Sequence, residues 1–215
     1  MIRRVDLGRL DYGQATQLQE GLVDRRAAGE VGDLLLLLEH DHVFTLGRRG
    51  QRENLLDPLD EHGEPIPVFE VARGGDITYH GPGQLVGYPI VKLGDHGGDV
   101  VRYLRALEEA LIVAVGRFGV SAERNPPYTG IWSGGEKIAS IGISVRRDVT
   151  WHGFALNVST DLSYFDRIVP CGLRWARMTS LERLLGRGLW IGEVRDAVAE
   201  GIAAALGVAV ERGEL

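Results

Sequence analysis

Cysteine and lysine are almost missing from this chain of 215 residues: Cys171 is the single cysteine, and of 24 basic side chains only Lys92 and Lys137 are lysines. A single cysteine excludes any disulfide within the chain and suits a reducing compartment. Arginine holds its proton at any ordinary pH, whereas a desolvated lysine can release it and act as acid, base or thiolate partner. Each of the two lysines is therefore a place to look for proton chemistry. Long apolar runs are absent as well. Runs such as Leu34 to Leu38 are far too short to cross a bilayer, and the N-terminal MIRRVDLGRLDYG lacks the apolar stretch of a signal peptide, so a cytoplasmic protein with no membrane partner is expected. A basic surface is also lacking: the net charge of -6 argues against nucleic acid as a partner. No repeat, low-complexity stretch or linker divides the sequence, and its length fits one domain over residues 1–215.

Glycine, by contrast, is abundant, at 30 residues. No other stretch packs as many special backbone and polar residues together as residues 73–89, RGGDITYHGPGQLVGYP. Its glycines permit close backbone approach, and Pro82 and Pro89 stiffen what they loosen. Arg73, Asp76, Thr78, Tyr79, His80 and Gln84 supply donors and acceptors at a density that a plain turn does not need, so the segment reads as a ligand loop. Context separates the two lysines. Lys137 follows a glycine turn and leads an apolar strand in GGEKIASIG, whereas Lys92, between Pro89-Ile90-Val91 and Leu93-Gly94-Asp95, reads as an exposed strand end. Cys171 lies in Val169-Pro170-Cys171-Gly172, a setting that favours a turn over a packed interior and marks the thiol as reactive.

Hydrophobic spacing predicts a helix over residues 12–28 and a buried strand over 33–39. Asp99 caps a helix over 100–118 that stops at Gly119. Residues 131–133 and 136–145 form a hairpin about Gly134-Gly135, and residues 146–150 turn into a strand over 151–158. Thr179 and Glu182 match a capping box, and a last helix covers 193–206. Antiparallel strand runs with helices grouped apart predict an α+β fold.

The ligand loop RGGDITYHGPGQLVGYPI, then GEKIASIGISVRR, WHGFALNV and PCGL with a following MTSL, resemble in order and spacing the motif series of the lipoyl(octanoyl) transferases, octanoyl-acyl-carrier-protein:protein N-octanoyltransferases. The upstream LEHDHVFTLGRR is similar to that family's first motif but has Asp41 and His42 where prolines are usual, and the resemblance spans about residues 34–185. It implies a biotin/lipoyl-protein-ligase-like catalytic fold, related to class II aminoacyl-tRNA synthetases. It also implies a cysteine that carries the acyl group as a thioester and a lysine that tunes it, which fall on Cys171 and Lys137. The family's acyl-binding stretches fall on Arg73, Gly74, Gly75, Asp76, Ile77, Thr78, Tyr79 and His80, on Ser140, Ile141 and Gly142, and on Gly153, Phe154 and Ala155. The implied donor is octanoyl-acyl carrier protein. The implied acceptors are lipoyl domains of 2-oxoacid dehydrogenase complexes and the glycine cleavage H protein, and no cofactor is called for because the thioester is already activated.

Several further expectations follow. Ile138, Ile141, Phe154 and Leu156 are candidates to line an octanoyl slot, with strand core as the alternative for each. Gly172 N–H and those of Gly74 and Gly75 are candidate oxyanion donors, among which the sequence does not choose. His80 either meets the thioester or braces its loop through Asp76. His40 and His42 share a strand face, but no cysteine or carboxylate motif completes a metal site around them. Trp132 and Trp151 read as core aromatics. Arg48, Arg49 and Arg52, with Arg146 and Arg147, form a candidate docking patch, against the alternative of a solvated charged face. Two rival functions remain: an ATP-dependent lipoate or biotin ligase, which has no need for a Cys171-type nucleophile, and a non-catalytic acyl-binding or oxidant-sensing protein.

Overall fold

Five consecutive leucines leave the strand Asp33–Glu39 no polar face, and it is buried on both sides. Leu35 and Leu37 enter one hydrophobic cluster, while Leu34, Leu36 and Leu38 enter another. A continuous apolar run is what a strand covered on both faces requires. This strand is the second of eleven in a computed structural model that describes residues 1–215.

In chain order, β1 (Ile2–Arg9), α1 (Tyr12–Ala27), β2 (Asp33–Glu39), β3 (Val43–Leu46), β4 (Val68–Glu70), β5 (Ile77–His80) and β6 (Gln84–Ile90) form the first half. The second half comprises α2 (Val100–Gly116), β7 (Glu123–Asn125), β8 (Tyr128–Ser133), β9 (Glu136–Arg146), β10 (Val149–Asn157), α3 (Leu181–Leu185), α4 (Ile191–Leu206) and β11 (Val210–Arg212). Eight strands make one sheet in the order β11-β1-β2-β6-β10-β9-β8-β7, and β4-β3-β5 make a smaller one. From β2 to β7 the pairing is antiparallel, as expected, but β1 lies parallel to both β2 and β11. The helices do not group apart. α1 packs against β6 and β10 on one face, while α2 and α4 pack together on the other and α2 meets β8 and β9. Both faces of β2 demand a cover, and the division of helices supplies it.

Local signals act largely as read. Asp99 accepts from the backbone N–H groups of Val101 and Arg102, and Asp11 does the same for Gln14 at the start of α1. The β8–β9 hairpin turns at Gly134-Gly135, and the β9–β10 turn is confined to Arg147 and Asp148, both with positive φ, narrower than the expected 146–150. The capping box is corrected. Ser180, one residue later than Thr179, caps α3 by accepting from Arg183 N, while the Glu182 carboxylate instead accepts from Leu189 N. Lys92 is half-buried, and its N–H donates to Asp33 beside the end of β6.

Candidate active site

A cavity of about 660 Å³ opens where the small sheet meets the central strands of the large one. Its walls come from the glycine loop (Arg73, Gly74, Gly75, Asp76, Ile77, Thr78 and His80), from β9 (Ser140, Ile141, Gly142) and from β10 (Gly153, Phe154, Ala155). Lys137 and Cys171 line it too. Tyr79 is the one acyl-binding candidate that does not. Strand alternation turns it to the far side of β5, where it is fully buried, stacks on Tyr164 and donates or accepts through its hydroxyl at 2.7 Å from His42 Nδ1. Ile138 and Leu156 are likewise withdrawn from the proposed slot. Both are fully buried in the cluster shared with α2 and α4, whereas Ile141 and Phe154 form apolar cavity wall.

Lys137 Nζ lies 3.2 Å from Cys171 Sγ, and the two reach each other from unlike surroundings. Lys137 sits at the start of β9 with 3% exposure, its N–H donating to Arg177 O and its carbonyl accepting from Thr179 N. Its ammonium stands 5.5 Å from the centroid of the Trp132 ring, so this core tryptophan, buried as expected, also supports the lysine. Gly130 makes room: a β-carbon there would fall 2.8 Å from Lys137 Cε. Cys171 is half-buried in a one-turn segment after Pro170 and adopts φ 57°, ψ 18°, a left-handed conformation uncommon for any residue with a side chain.

The segment just past β3 fixes that turn. Asn54 O accepts from Val169 N, Leu55 bridges Ile168, and the Asp57 carboxylate pairs with Arg167 at 2.5 Å. Asn54 Nδ2 also donates to Asp76, whose carboxylate accepts from the N–H groups of Gln51 and Ile77 as well. Asp76 in turn lies against Gly172, where a β-carbon would come within 2.7 Å of Oδ2. Asn54, Gln51 and Gly130 escaped the sequence reading. A glycine inside a strand was the available signal for Gly130, and Asn54 gave none.

The histidines at and near the cavity are buried and held neutral beside the guanidinium of Arg73. The Arg73 guanidinium donates to Thr45 O and Oγ1, Gly74 O and Asp76 O without any carboxylate partner, and burial lowers its pKa from the ordinary value. His80 is braced by Gln84 at 2.7 Å rather than by Asp76, and burial keeps it well below the usual imidazole range. Gln84 donates onward to Asn157, which donates to Thr179 O, so the brace joins the segment that pairs with Lys137. His152, with φ 55°, is pushed down to about 3 by burial and by the charges of Arg73 and Arg48. Burial holds His40 at about 4, and both its ring nitrogens are engaged, by Leu10 O and the Tyr88 hydroxyl.

Two other groups of residues divide. Gly172 N–H donates to Val169 O and Gly74 N–H to Ile143 O, which leaves Gly75 as the oxyanion candidate with a free donor. In the docking patch, Arg52 pairs with Glu70, and Arg146 and Arg147 pair with Asp24, so these three are neutralised. Arg48 donates to Ser144 Oγ, and Arg49 lines the cavity without a carboxylate partner.

The sequence pattern of the lipoyl protein ligase A/B catalytic domain matches residues 11–203. An octanoyltransferase of Geobacter metallireducens is 54% identical over 199 residues, which cover 93% of this chain and 90% of that one. Among solved structures, a putative lipoate protein ligase from T. acidophilum with bound lipoic acid aligns with a TM-score of 0.74 at 20% identity, over 99% of this chain and 89% of that one. A biotin protein ligase from Aquifex aeolicus in complex with biotin and ATP aligns at 0.60 and 14%, over 95% and 70%. At those identities the two structures carry the fold alone, the expected biotin/lipoyl-protein-ligase-like α+β domain. With the family pattern spanning most of its length and a 54% relative covering nearly all of it, the chain belongs to the lipoyl protein ligase A/B catalytic-domain family, beside its octanoyltransferases.

Proposed function

We propose that this protein transfers an octanoyl group from acyl carrier protein, through a thioester on Cys171, to the acceptor lysine of lipoyl domains. The observation that carries the reading is the 3.2 Å approach of Lys137 Nζ to the single cysteine at a cavity to which Ile141 and Phe154 give an apolar wall. Octanoyltransferase relatives at about half identity support the acyl group and the reaction class.

The Cys171 thiolate attacks the donor carbonyl, the carbon–sulfur bond to the carrier breaks, the leaving thiolate takes the proton of the Lys137 ammonium, and the acyl group rests on Sγ. A neighbouring ammonium favours the thiolate, and Lys137 holds that place at 3.2 Å. The ε-amine of an incoming lysine then attacks the acyl-cysteine, the thiolate departs, and neutral Lys137 takes the proton released by the new amide nitrogen. Both tetrahedral intermediates carry an oxyanion, for which Gly75 N–H is the available donor. The eight-carbon tail lies along Ile141 and Phe154, where burial of its methylenes, at ~0.8 kcal/mol each, yields roughly 5 kcal/mol against very short acyl groups. The thioester brings its own activation, so no nucleotide enters. We read residues 1–215 as one catalytic unit that works in the cytoplasm, with lipoyl domains of 2-oxoacid dehydrogenase complexes and the glycine cleavage H protein as acceptors.

Intact-mass measurement after mixing with octanoyl carrier protein tests this. The expected result is one octanoyl adduct on Cys171, discharged when a lipoyl domain is added. Modification of the lipoyl domain that requires free octanoate and ATP, with no adduct, would instead mean a ligase.

A further inference from the structure

Four cationic side chains, Arg49, Arg73, Lys137 and Arg174, line the cavity against one carboxylate, Asp76, in a chain whose net charge is -6. Asp76 is already saturated by Gln51 N–H, Ile77 N–H and Asn54 Nδ2. Arg73 is buried and spends its Nη groups on backbone carbonyls and Thr45, and Lys137 faces Cys171. Arg49 and Arg174 are different. Both are exposed, and neither has a carboxylate within ion-pair distance; other exposed arginines without one, such as Arg102 and Arg187, do not line this cavity. Arg49 is pinned to the glycine loop by its N–H, which donates to Gly75 O. Arg174 follows Cys171 by three residues, so their Cα atoms lie within about 11 Å even at full extension.

We propose that Arg49 and Arg174 form a phosphate clamp at the cavity mouth, which grips the phosphodiester at the far end of the donor's thiol-bearing arm. This inference rests on the reading of the donor as a carrier-borne thioester. When the reacting carbonyl stands at Cys171 and the acyl tail runs inward, the rest of the donor must leave past these two side chains. Guanidinium forks match phosphate oxygens with paired, charge-assisted hydrogen bonds. The same cations repel the ammonium of an acceptor lysine, so the mouth favours the partner that brings negative charge. The clamp acts on donor binding and leaves the bond-making steps to Cys171 and Lys137.

The test compares S-octanoyl-4′-phosphopantetheine with S-octanoyl-pantetheine, which lacks the phosphate, in the wild-type protein and in the R49Q/R174Q double variant. The readout is the ratio of kcat/KM for the two donors, which a general loss of folded enzyme does not move. The wild type should favour the phosphorylated donor by roughly ten- to hundred-fold, and the double variant should bring the ratio near one. Octanoyl carrier protein should lose a similar factor in the variant. A second arm measures binding of the S-octyl thioethers of both arms by calorimetry, because these bind but cannot transfer. A phosphate preference in binding that vanishes in R49Q/R174Q supports the clamp even if neither thioester turns over, in which case the transferase reading is what fails. Equal binding of the two thioethers to the wild type overturns the clamp, as does a preference that survives in the variant. An unchanged donor ratio with a raised KM for the lipoyl domain also overturns it, and gives the arginines to the acceptor.

Discussion

Lys137 and Cys171 come within 3.2 Å of each other from opposite kinds of backbone. The lysine stands on β9, which pairs with β8 on one side and β10 on the other, and is 3% exposed. The cysteine stands on an irregular turn, half-exposed, in a left-handed conformation, and is held by contacts with the segment around Asn54 rather than by a sheet. The cavity wall formed by Ser140, Ile141, Gly142, Gly153, Phe154 and Ala155 belongs to the regular side, since all six lie on β9 and β10. In the proposed transfer, the sulfur must be reached in turn by two protein substrates and so cannot be buried in a sheet, whereas the lysine, which has one partner to hold in place, gains from being there. The dyad therefore joins a rigid wall to an accessible turn.

Removing the accessible member should have the largest effect. Cys171→Ser is expected to abolish the octanoyl adduct and reduce transfer to background, since a serine hydroxyl offers no comparable nucleophile near neutral pH. Near wild-type turnover in this variant would end the covalent account. On the rigid side, Lys137→Arg should lower transfer by about 10²–10⁴-fold, nearly as much as Lys137→Ala, because arginine keeps the charge but cannot accept and release the proton. Lys92→Arg, away from the cavity, is the control and should be nearly silent. Gly130→Ala tests the lysine's seat without touching the lysine. A β-carbon there would overlap the Ala139 carbonyl oxygen and stand 2.8 Å from Lys137 Cε, at a residue with φ 116°, so β8 must shift against β9 and kcat should fall by roughly ten- to hundred-fold. The same strain should cost about 1–3 kcal/mol in a urea melt. Wild-type kcat would show that the lysine tolerates displacement.

The regular half was also the half that could be read from the sequence. Five leucines, a glycine-glycine turn and an Asp99 cap are local signals, and β2, the β8–β9 hairpin and α2 formed where they pointed. The failures there are failures of direction. Tyr79, Ile138 and Leu156 carry the right chemistry, but which stretch and which face of a strand meets the cavity depends on how the two sheets are placed, and nothing within a short window encodes that. Lys137 and Cys171 were singled out by rarity, by their glycine and proline settings and by the family resemblance, and the fold brings them together. The support for Cys171 was not legible, since Asn54 and Gln51 are ordinary loop residues whose partners lie far along the chain. The same holds for the arginines: only pairing in space distinguishes neutralised Arg146 from unpaired Arg174.

Acid should strain the regular half first. Burial holds His40 at about 4, and burial with nearby arginine charge holds His152 at about 3, both below the ordinary 6.5. Between those values the unfolded chain binds protons that the native chain refuses. The stabilising contribution is therefore full above pH 6.5 and is lost as pH falls towards 4 and below. From pH 7 to pH 5 each histidine should withdraw about 2 kcal/mol from the free energy of unfolding. Urea melts of wild type and His40→Gln at the two pH values measure this, and the variant should lose less on acidification by about that amount. Equal losses would mean that His40 is protonated in the folded protein as readily as in the unfolded one.

The smallest effect should come from the support of the irregular half. Asn54 makes no hydrogen bond to Cys171, yet its carbonyl accepts from Val169 N and its Nδ2 donates to the Asp76 carboxylate that lies against Gly172. Asn54→Ala keeps the backbone contact and deletes the side-chain one, so the cysteine turn should persist but loosen. The expected cost is about 1–2 kcal/mol in stability, at the low end for a hydrogen bond to a charged group because both partners are partly exposed. A fall in kcat of roughly ten-fold should accompany it, because the sulfur no longer stands at a fixed distance from the ammonium. Asn54→Asp separates support from mere packing. It matches the shape but sets a second carboxylate against Asp76, so it should be worse than alanine near neutral pH and should recover as pH is lowered and the pair takes up a proton. A merely packed asparagine would give the reverse order, with aspartate the milder change and no dependence on pH. Asn54 would then have no part in holding the turn, and the accessible half of the site would owe its geometry to the Pro170 and Gly172 backbone alone.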